Sequence, residues 1–176
     1  MIETLTWTAY EENALKNPAW KSYRARWSYH AVAIEIVKSL DISSPRGVLE
    51  IGPFGANVIQ GSDTMDLPSG EWRMPDYGRT IRHDARSIPW PFQEKRYELL
   101  IALRVWHHLA PFQEEAFREA KRIAHHIIIA CPENEIVGVG VARGQFLAWN
   151  DGIPPSREYD LAAWGKLYFW SENDRA

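Results

Sequence analysis

Apolar side chains recur every three or four residues at Trp20, Tyr23, Trp27, Ala31, Ile34 and Val37, a spacing that predicts a helix with one aromatic and aliphatic stripe. Asn17 followed by Pro18 supplies an N-cap and a first turn, Lys21, Arg24, Arg26 and Glu35 take the opposite face, and the helix ends near Leu40. The pattern then turns to short continuous apolar runs. Val48-Leu49-Glu50-Ile51 reads as a buried strand stopped by Gly52 and Pro53, and Asp63 to Leu67 and Arg79 to His83 read as the next two, with Asp84 at the exit of the latter. Only eleven residues separate the first two strands, so any helix between them is limited to about two turns.

Ile88-Pro89-Trp90-Pro91-Phe92 is a rigid connection, because each proline fixes φ and removes a donor. It leads to Tyr97 to Leu103, the clearest strand in the chain. A second helix follows from Phe112, Ala116, Phe117, Ala120, Ile123 and Ala124, with Glu114, Glu115, Arg118, Glu119 and Arg122 turned outward. Ile127 to Cys131, closed by Pro132, reads as a strand buried on both faces. Strand, short crossover, strand, helix, strand with continuous apolar strands predicts an α/β fold, a mostly parallel sheet covered by helices.

Composition narrows the class. The chain has 176 residues, 45% apolar and 24% charged, which suits one globular domain. Its single cysteine, Cys131, excludes an internal disulfide and suits a reducing compartment. The N-terminus lacks a basic segment followed by an apolar core, and no apolar run approaches the ~20 residues of a membrane span, so the expectation is a cytoplasmic protein with no membrane partner. The net charge of −3 is spread along the chain without a basic block, which argues against a nucleic-acid partner. Nine tryptophans cluster toward the two ends, where they either pack the termini onto the core or line a pocket for an apolar small molecule.

In an open parallel sheet ligands bind beyond the carboxyl ends of the strands, which directs attention to Glu50 to Asn57, Asp66, Asp84-Ala85 and Leu103 to His108. Glu50 ends one strand beside Gly52 and Gly55, where a ligand can approach backbone N–H groups without meeting a Cβ. Asp66 is suited to accept two hydrogen bonds from a ribose diol, and Asp84 to receive an exocyclic amine. Singly, each is more often a plain loop residue.

Their order is informative. Val48 to Gly55, then Asp66, then His83-Asp84-Ala85 through Phe92, then Tyr97 to Leu109 resembles the class I S-adenosylmethionine-dependent methyltransferases over about residues 47–132. The resemblance implies a Rossmann-like three-layer sandwich with an N-terminal helix over it. It implies S-adenosylmethionine as cofactor, with Glu50, Gly52, Pro53 and Gly55 at its methionine part, Asp66 on the ribose, Asp84 and Ala85 at adenine, and Leu103 and Arg104 at the methionine end. It further implies three parts of one domain: a helical lid over 1–46, a cofactor-binding core over 47–132 and a substrate region over 133–176. Phe54 stands where the family usually has glycine, and Gly52 to Asn57 follow the Gly-Pro-x-Gly-x-Asn pattern of a short-form subgroup. Of the family's C-terminal pair of antiparallel strands only Gly165 to Trp170 is legible, so a shortened C-terminal region is expected.

By the same resemblance His107 and His108 face the substrate, and imidazole titrates near neutrality, so His108 is the candidate general base; packing or capping of the turn before Pro111 is the bland alternative. Tyr23 and Arg26 on the first helix are further candidates for the substrate side, although an aromatic stripe is more often core. The expected reaction is methyl transfer to an oxygen, nitrogen or carbon nucleophile of a small molecule. A non-catalytic methyltransferase-like binding or scaffolding domain is the alternative, and a homodimer is a candidate assembly. No metal site is expected, because the pairs His107-His108 and His125-His126 are adjacent, and adjacent residues on a helix point about 100° apart. Gly138 to Gly144 departs from a dinucleotide fingerprint in spacing and position and reads as a loop or hairpin. No Gly-x-Ser-x-Gly elbow, phosphate loop or Cys-x-x-Cys is present.

Overall fold

The computed structural model describes residues 2–16, 23–68, 79–132, 157–161 and 165–175. Asn17, Pro18 and Trp20 of the predicted first helix, and the glycines from Gly138 to Gly144, lie outside the described residues.

The strands β1 (Val48–Ile51), β2 (Asp63–Asp66), β3 (Thr80–Arg82), β4 (Tyr97–Leu103) and β5 (Ala124–Pro132) are all parallel. They are joined by β6 (Arg157–Leu161) and β7 (Gly165–Ser171) in one seven-stranded sheet of order β3-β2-β1-β4-β5-β7-β6. β7 runs antiparallel between β5 and β6, so the C-terminal pair expected to be reduced is complete. β6 escaped detection because it is an edge strand with four of its five residues at least partly exposed, and its sequence Arg-Glu-Tyr-Asp-Leu carries no buried run.

Alternating side chains build two cores. Leu49, Ile51, Leu100, Ala102, Ile127, Ile129, Tyr168 and Trp170 point to one face, where helix α3 (Gln113–Ile123) adds Ala116, Phe117, Ala120 and Ile123. Val48, Leu99, Ile101, Ile128, Ala130, Leu167 and Phe169 point to the other, under helix α2 (Tyr23–Ser39). Both faces of the central strands are therefore dry, which is why these strands read as unbroken apolar runs, and the result is the three-layer α/β sandwich expected. α2 buries Tyr29, His30, Ala33, Ile34, Ile36 and Val37.

A helix that the pattern did not reveal, α1 (Trp7–Leu15), precedes α2. The Thr6 hydroxyl caps it by accepting from the Ala9 N–H at 3.3 Å, and Tyr10 and Ala14, one turn apart, are its two buried residues. Ahead of it the chain pairs with the β1–β2 connection: Leu5 N–H donates to Val58 and Gln60 N–H to Glu3, with Thr4 opposite Ile59. Among the described residues no helix is long and apolar enough to cross a membrane.

Candidate functional site at the carboxyl edge of the sheet

The parallel register brings Ile51, Asp66, Arg82 and Leu103 to one edge, and there a cavity of about 670 Å³ is found. The turn after β1 forms its floor. Gly52 has φ +54° and Gly55 φ +74°, the left-handed region that costs a side chain strain. A Cβ on Gly52 would come within 2.8 Å of Val105 Cγ2, so the glycine is required by space as well as by dihedral. Phe54 adopts φ +55°, the conformation for which glycine is the ordinary residue, and its ring lines the cavity.

Glu50 stands in the wall, but its carboxylate serves the neighbouring loop. It accepts from the Val58 N–H at 2.8 Å, the Ile59 N–H at 2.9 Å and the Ser62 hydroxyl at 2.8 Å. Burial outweighs these three bonds and pushes its pKa up to about 7. The acid at the end of β1 thus acts as the anchor that shapes the helix-free β1–β2 connection.

Asp66 is 29% exposed at the end of β2, with one oxygen accepting from the Leu67 N–H at 2.8 Å and the other 3.9 Å from Arg82. Asp84 accepts from the Arg86 backbone N–H at 2.9 Å and from the Arg86 guanidinium at 2.7–3.1 Å; the guanidinium holds its carboxyl below the usual range. The following residue is pinned from the far side: Trp90 donates its indole N–H to the Ala85 carbonyl at 2.9 Å, and its own N–H goes to Glu119 of α3 at 2.7 Å. The proline-rich connection is the strut that positions Asp84 and Ala85.

The opposite wall comes from α2 and from the turn after β4. Arg104 has φ +59°, and its guanidinium lies 5.6 Å over the Tyr29 ring. His107 is buried and its ring centroid is 3.9 Å from that of His108, which is exposed. From α2, Arg26 and His30 reach the cavity one turn apart. His30 packs against Tyr10 with ring centroids 4.8 Å apart, and burial lowers its pKa to about 4, so it is neutral at physiological pH.

The cavity therefore gathers Glu50, Gly52, Pro53, Asp66, Asp84 and Ala85 from one side and Leu103, Arg104, His107, His108 and Arg26 from the other. Two candidates stand outside its lining. Gly55 offers its carbonyl to the Asn13 side-chain amide, and Tyr23 donates its hydroxyl to Glu11 at 3.2 Å while its carbonyl accepts from Tyr10 at 2.7 Å, so both tie the N-terminal helices down. His30 and Arg86 line the cavity without having been singled out from the sequence; the i, i+4 relation of His30 to Arg26 was the available signal. Among the described residues no group of three or more histidine, cysteine or acidic side chains could hold a metal ion.

No protein-family model and no curated protein matches the sequence. Solved structures do. A protein of Methanococcus maripaludis assigned as an S-adenosyl-L-methionine-dependent methyltransferase superposes with a TM-score of 0.59 and 16% identity over 97% of this chain and 96% of its own. An S-adenosylmethionine-dependent methyltransferase of Aquifex aeolicus gives 0.56 and 11%, covering 77% of this chain and 86% of its own. At these identities the likeness concerns the fold, and the chain has the class I methyltransferase fold.

Proposed function

We propose that this protein is an S-adenosylmethionine-dependent methyltransferase acting on a small molecule. The observation that carries the reading is the convergence, at one edge of this fold, of a left-handed glycine turn, two separate carboxylates at successive strand ends and a histidine pair across the same cavity. The cradle suits the cofactor: the left-handed turn at Gly52 and Gly55 follows β1, Asp66 would offer its carboxylate to a ribose diol, and Asp84 with Ala85 would face adenine. Bound there, S-adenosylmethionine supplies an electrophilic methyl group on a sulfonium.

The protein's own tasks are orientation and proton handling. Displacement at a methyl carbon is in line, so holding the acceptor's nucleophile opposite the sulfur accounts for most of the rate, and a base is needed only where the acceptor keeps its proton. His108 is the group for that role, being exposed at the cavity wall with His107 packed behind it. The domain divides in this reading as lid 1–46, core 47–132 and substrate region 133–176. Phe54 in the glycine position and the Arg86–Asp84 pair favour a second reading, a methyltransferase-like binding or scaffolding domain.

Calorimetric titration with S-adenosylmethionine tests the first step, and absence of heat and of a thermal shift at millimolar cofactor rejects it. Incubation with methyl-labelled cofactor and a panel of phenols, amines and carboxylates separates the two readings. Label transfer that falls about tenfold or more in His108→Ala supports the enzyme with this base, and tight binding without transfer supports the binding domain.

A further inference from the structure

At the amino edge of the sheet, opposite the cavity, three arginines converge on one carboxylate. Asp63 opens β2 with its side chain fully buried. Arg79 stands immediately before β3, Arg46 just ahead of β1 and Arg96 immediately before β4, so four adjacent strands contribute to the cluster. Arg46 Nη1 donates to one Asp63 oxygen at 2.7 Å and Arg79 Nη2 to the other at 2.8 Å. That second oxygen also accepts from the Tyr97 hydroxyl at 3.1 Å and lies 3.9 Å from Arg96 Nη2. Arg96 is fixed in turn, donating from Nη1 to the Arg46 carbonyl at 3.2 Å, with its guanidinium 4.8 Å over the Tyr97 ring.

Among the described residues Asp63 is the only carboxylate paired with any of the three. Glu98, the next acid along β4, is taken by the Ser43 N–H at 3.0 Å and by the Ser43 hydroxyl. Even with Glu98 counted, the three cations outnumber the carboxylates beside them. Their side chains remain 59%, 51% and 39% exposed, and Arg46 and Arg79 each spend one terminal nitrogen on Asp63, which leaves the rest of each fork without a partner among the described residues. Asp63 thus gathers guanidiniums whose mutual repulsion it only partly offsets. We infer that this edge is a binding site for a phosphate monoester, whose three terminal oxygens accept from the outer N–H groups of Arg46, Arg79 and Arg96. Arginine suits the role because its planar fork matches phosphate oxygens with parallel hydrogen bonds. The whole length of β4, about 20 Å, separates Arg96 from Leu103 at the cavity, so the site stands apart from the methyltransferase reading.

The test titrates the full chain at constant ionic strength and about pH 7.5, where a monoester is a dianion. Its probes are phenyl phosphate and the methyl diester of phenyl phosphate, which carries a single charge. The monoester is expected to bind about tenfold more tightly than the diester or better, and the preference to fall to about threefold or less in Arg96→Gln. Arg96 is the position to change because the two donors closest to the buried carboxylate, Arg46 and Arg79, then stay in place. Arg96→Lys, which keeps the charge but not the fork, is expected to recover part of the preference. In side-chain nuclear magnetic resonance spectra the Nε–H signals of Arg46, Arg79 and Arg96 are expected to move with phenyl phosphate, and those of Arg26, Arg86 and Arg104 at the cavity to stay. Because the comparison of the two esters needs no variant, a substitution that unfolds the chain leaves the inference testable. Equal affinity for the two esters overturns it, as does a preference that survives Arg96→Gln in a folded chain. Movement of the cavity arginines in place of the edge arginines, or competition between phenyl phosphate and S-adenosylhomocysteine, also overturns it, because the phosphoryl group then sits in the cavity.

Discussion

Arg86 folds back on Asp84, two residues before it, and occupies both oxygens of the carboxylate with Nε at 3.0 and 3.1 Å and Nη2 at 2.7 Å. Any amine that Asp84 is to receive from a ligand must displace one of these bonds. Since both side chains reach solvent, the pair is weak enough to yield. Arg86→Ala is therefore expected to tighten adenosyl-ligand binding, by about fivefold or less. A titration of the variant showing weaker binding would mean that Arg86 itself contacts the ligand.

Asp66→Ala tests the ribose assignment. The side chain is partly exposed and its closest protein contact is the N–H of the next residue, so the melting temperature is expected to stay nearly constant. Affinity for S-adenosylmethionine is expected to fall by about 1.5–3 kcal/mol, the range for losing a charged hydrogen-bond partner. Undiminished affinity would place the ribose elsewhere.

Glu50 makes stability depend on pH. Its folded pKa of about 7 lies above the ordinary 4.5, so between these values the folded state holds a proton that the unfolded state has released. Its contribution is complete below pH 4.5 and is lost as pH rises through 7, a decline of about 3 kcal/mol. Glu50→Gln is expected to remove this contribution and leave a midpoint that rises with pH up to about 6.5. It is also expected to lower stability at pH 4.5, because an amide NH₂ would face one of the donors from Val58, Ile59 or Ser62. Urea midpoints across pH 4 to 8 measure both effects.

His30 works in the opposite sense. Its folded pKa of about 4 lies below 6.5, so the unfolded state binds more protons in between, and stability rises with pH across that window and is lost as pH falls through it. In the unaltered protein this rise offsets the Glu50 decline. His30→Gln is expected to expose the decline, giving urea midpoints that fall steadily from pH 4.5 to 7. A profile identical to that of the parent chain would show that His30 is not buried as described.

Legibility followed burial. Val48–Ile51 and Tyr97–Leu103 were readable as strands because both of their faces are dry, and Gln113–Ile123 as a helix because its charged and apolar sides separate cleanly. α1 was not, since Tyr10 and Ala14 bury too little to show a period among Glu11, Glu12 and Asn13. His125 and His126 concealed the start of β5, because polar residues at a strand's first positions look like the end of the preceding helix. At the site, the rule that ligands meet parallel sheets at strand ends located Asp66, Asp84 and His108. Nothing in the order of residues reveals that Glu50 turns its carboxylate onto backbone amides at Val58 and Ile59, or that Arg86 turns back onto Asp84.

The loop between β1 and β2 is fastened along both edges, by Glu50 on its inner side and by residues Glu3 to Leu5 on its outer side. A segment held this way cannot fray by itself, since releasing the Val58 and Ile59 amides requires opening the wall that buries Glu50. In deuterium exchange these two loop amides would accordingly keep time with the central strands β1 and β4, although by shape the segment is a turn. The loop beside the cavity is thus expected to open together with the sheet and not ahead of it.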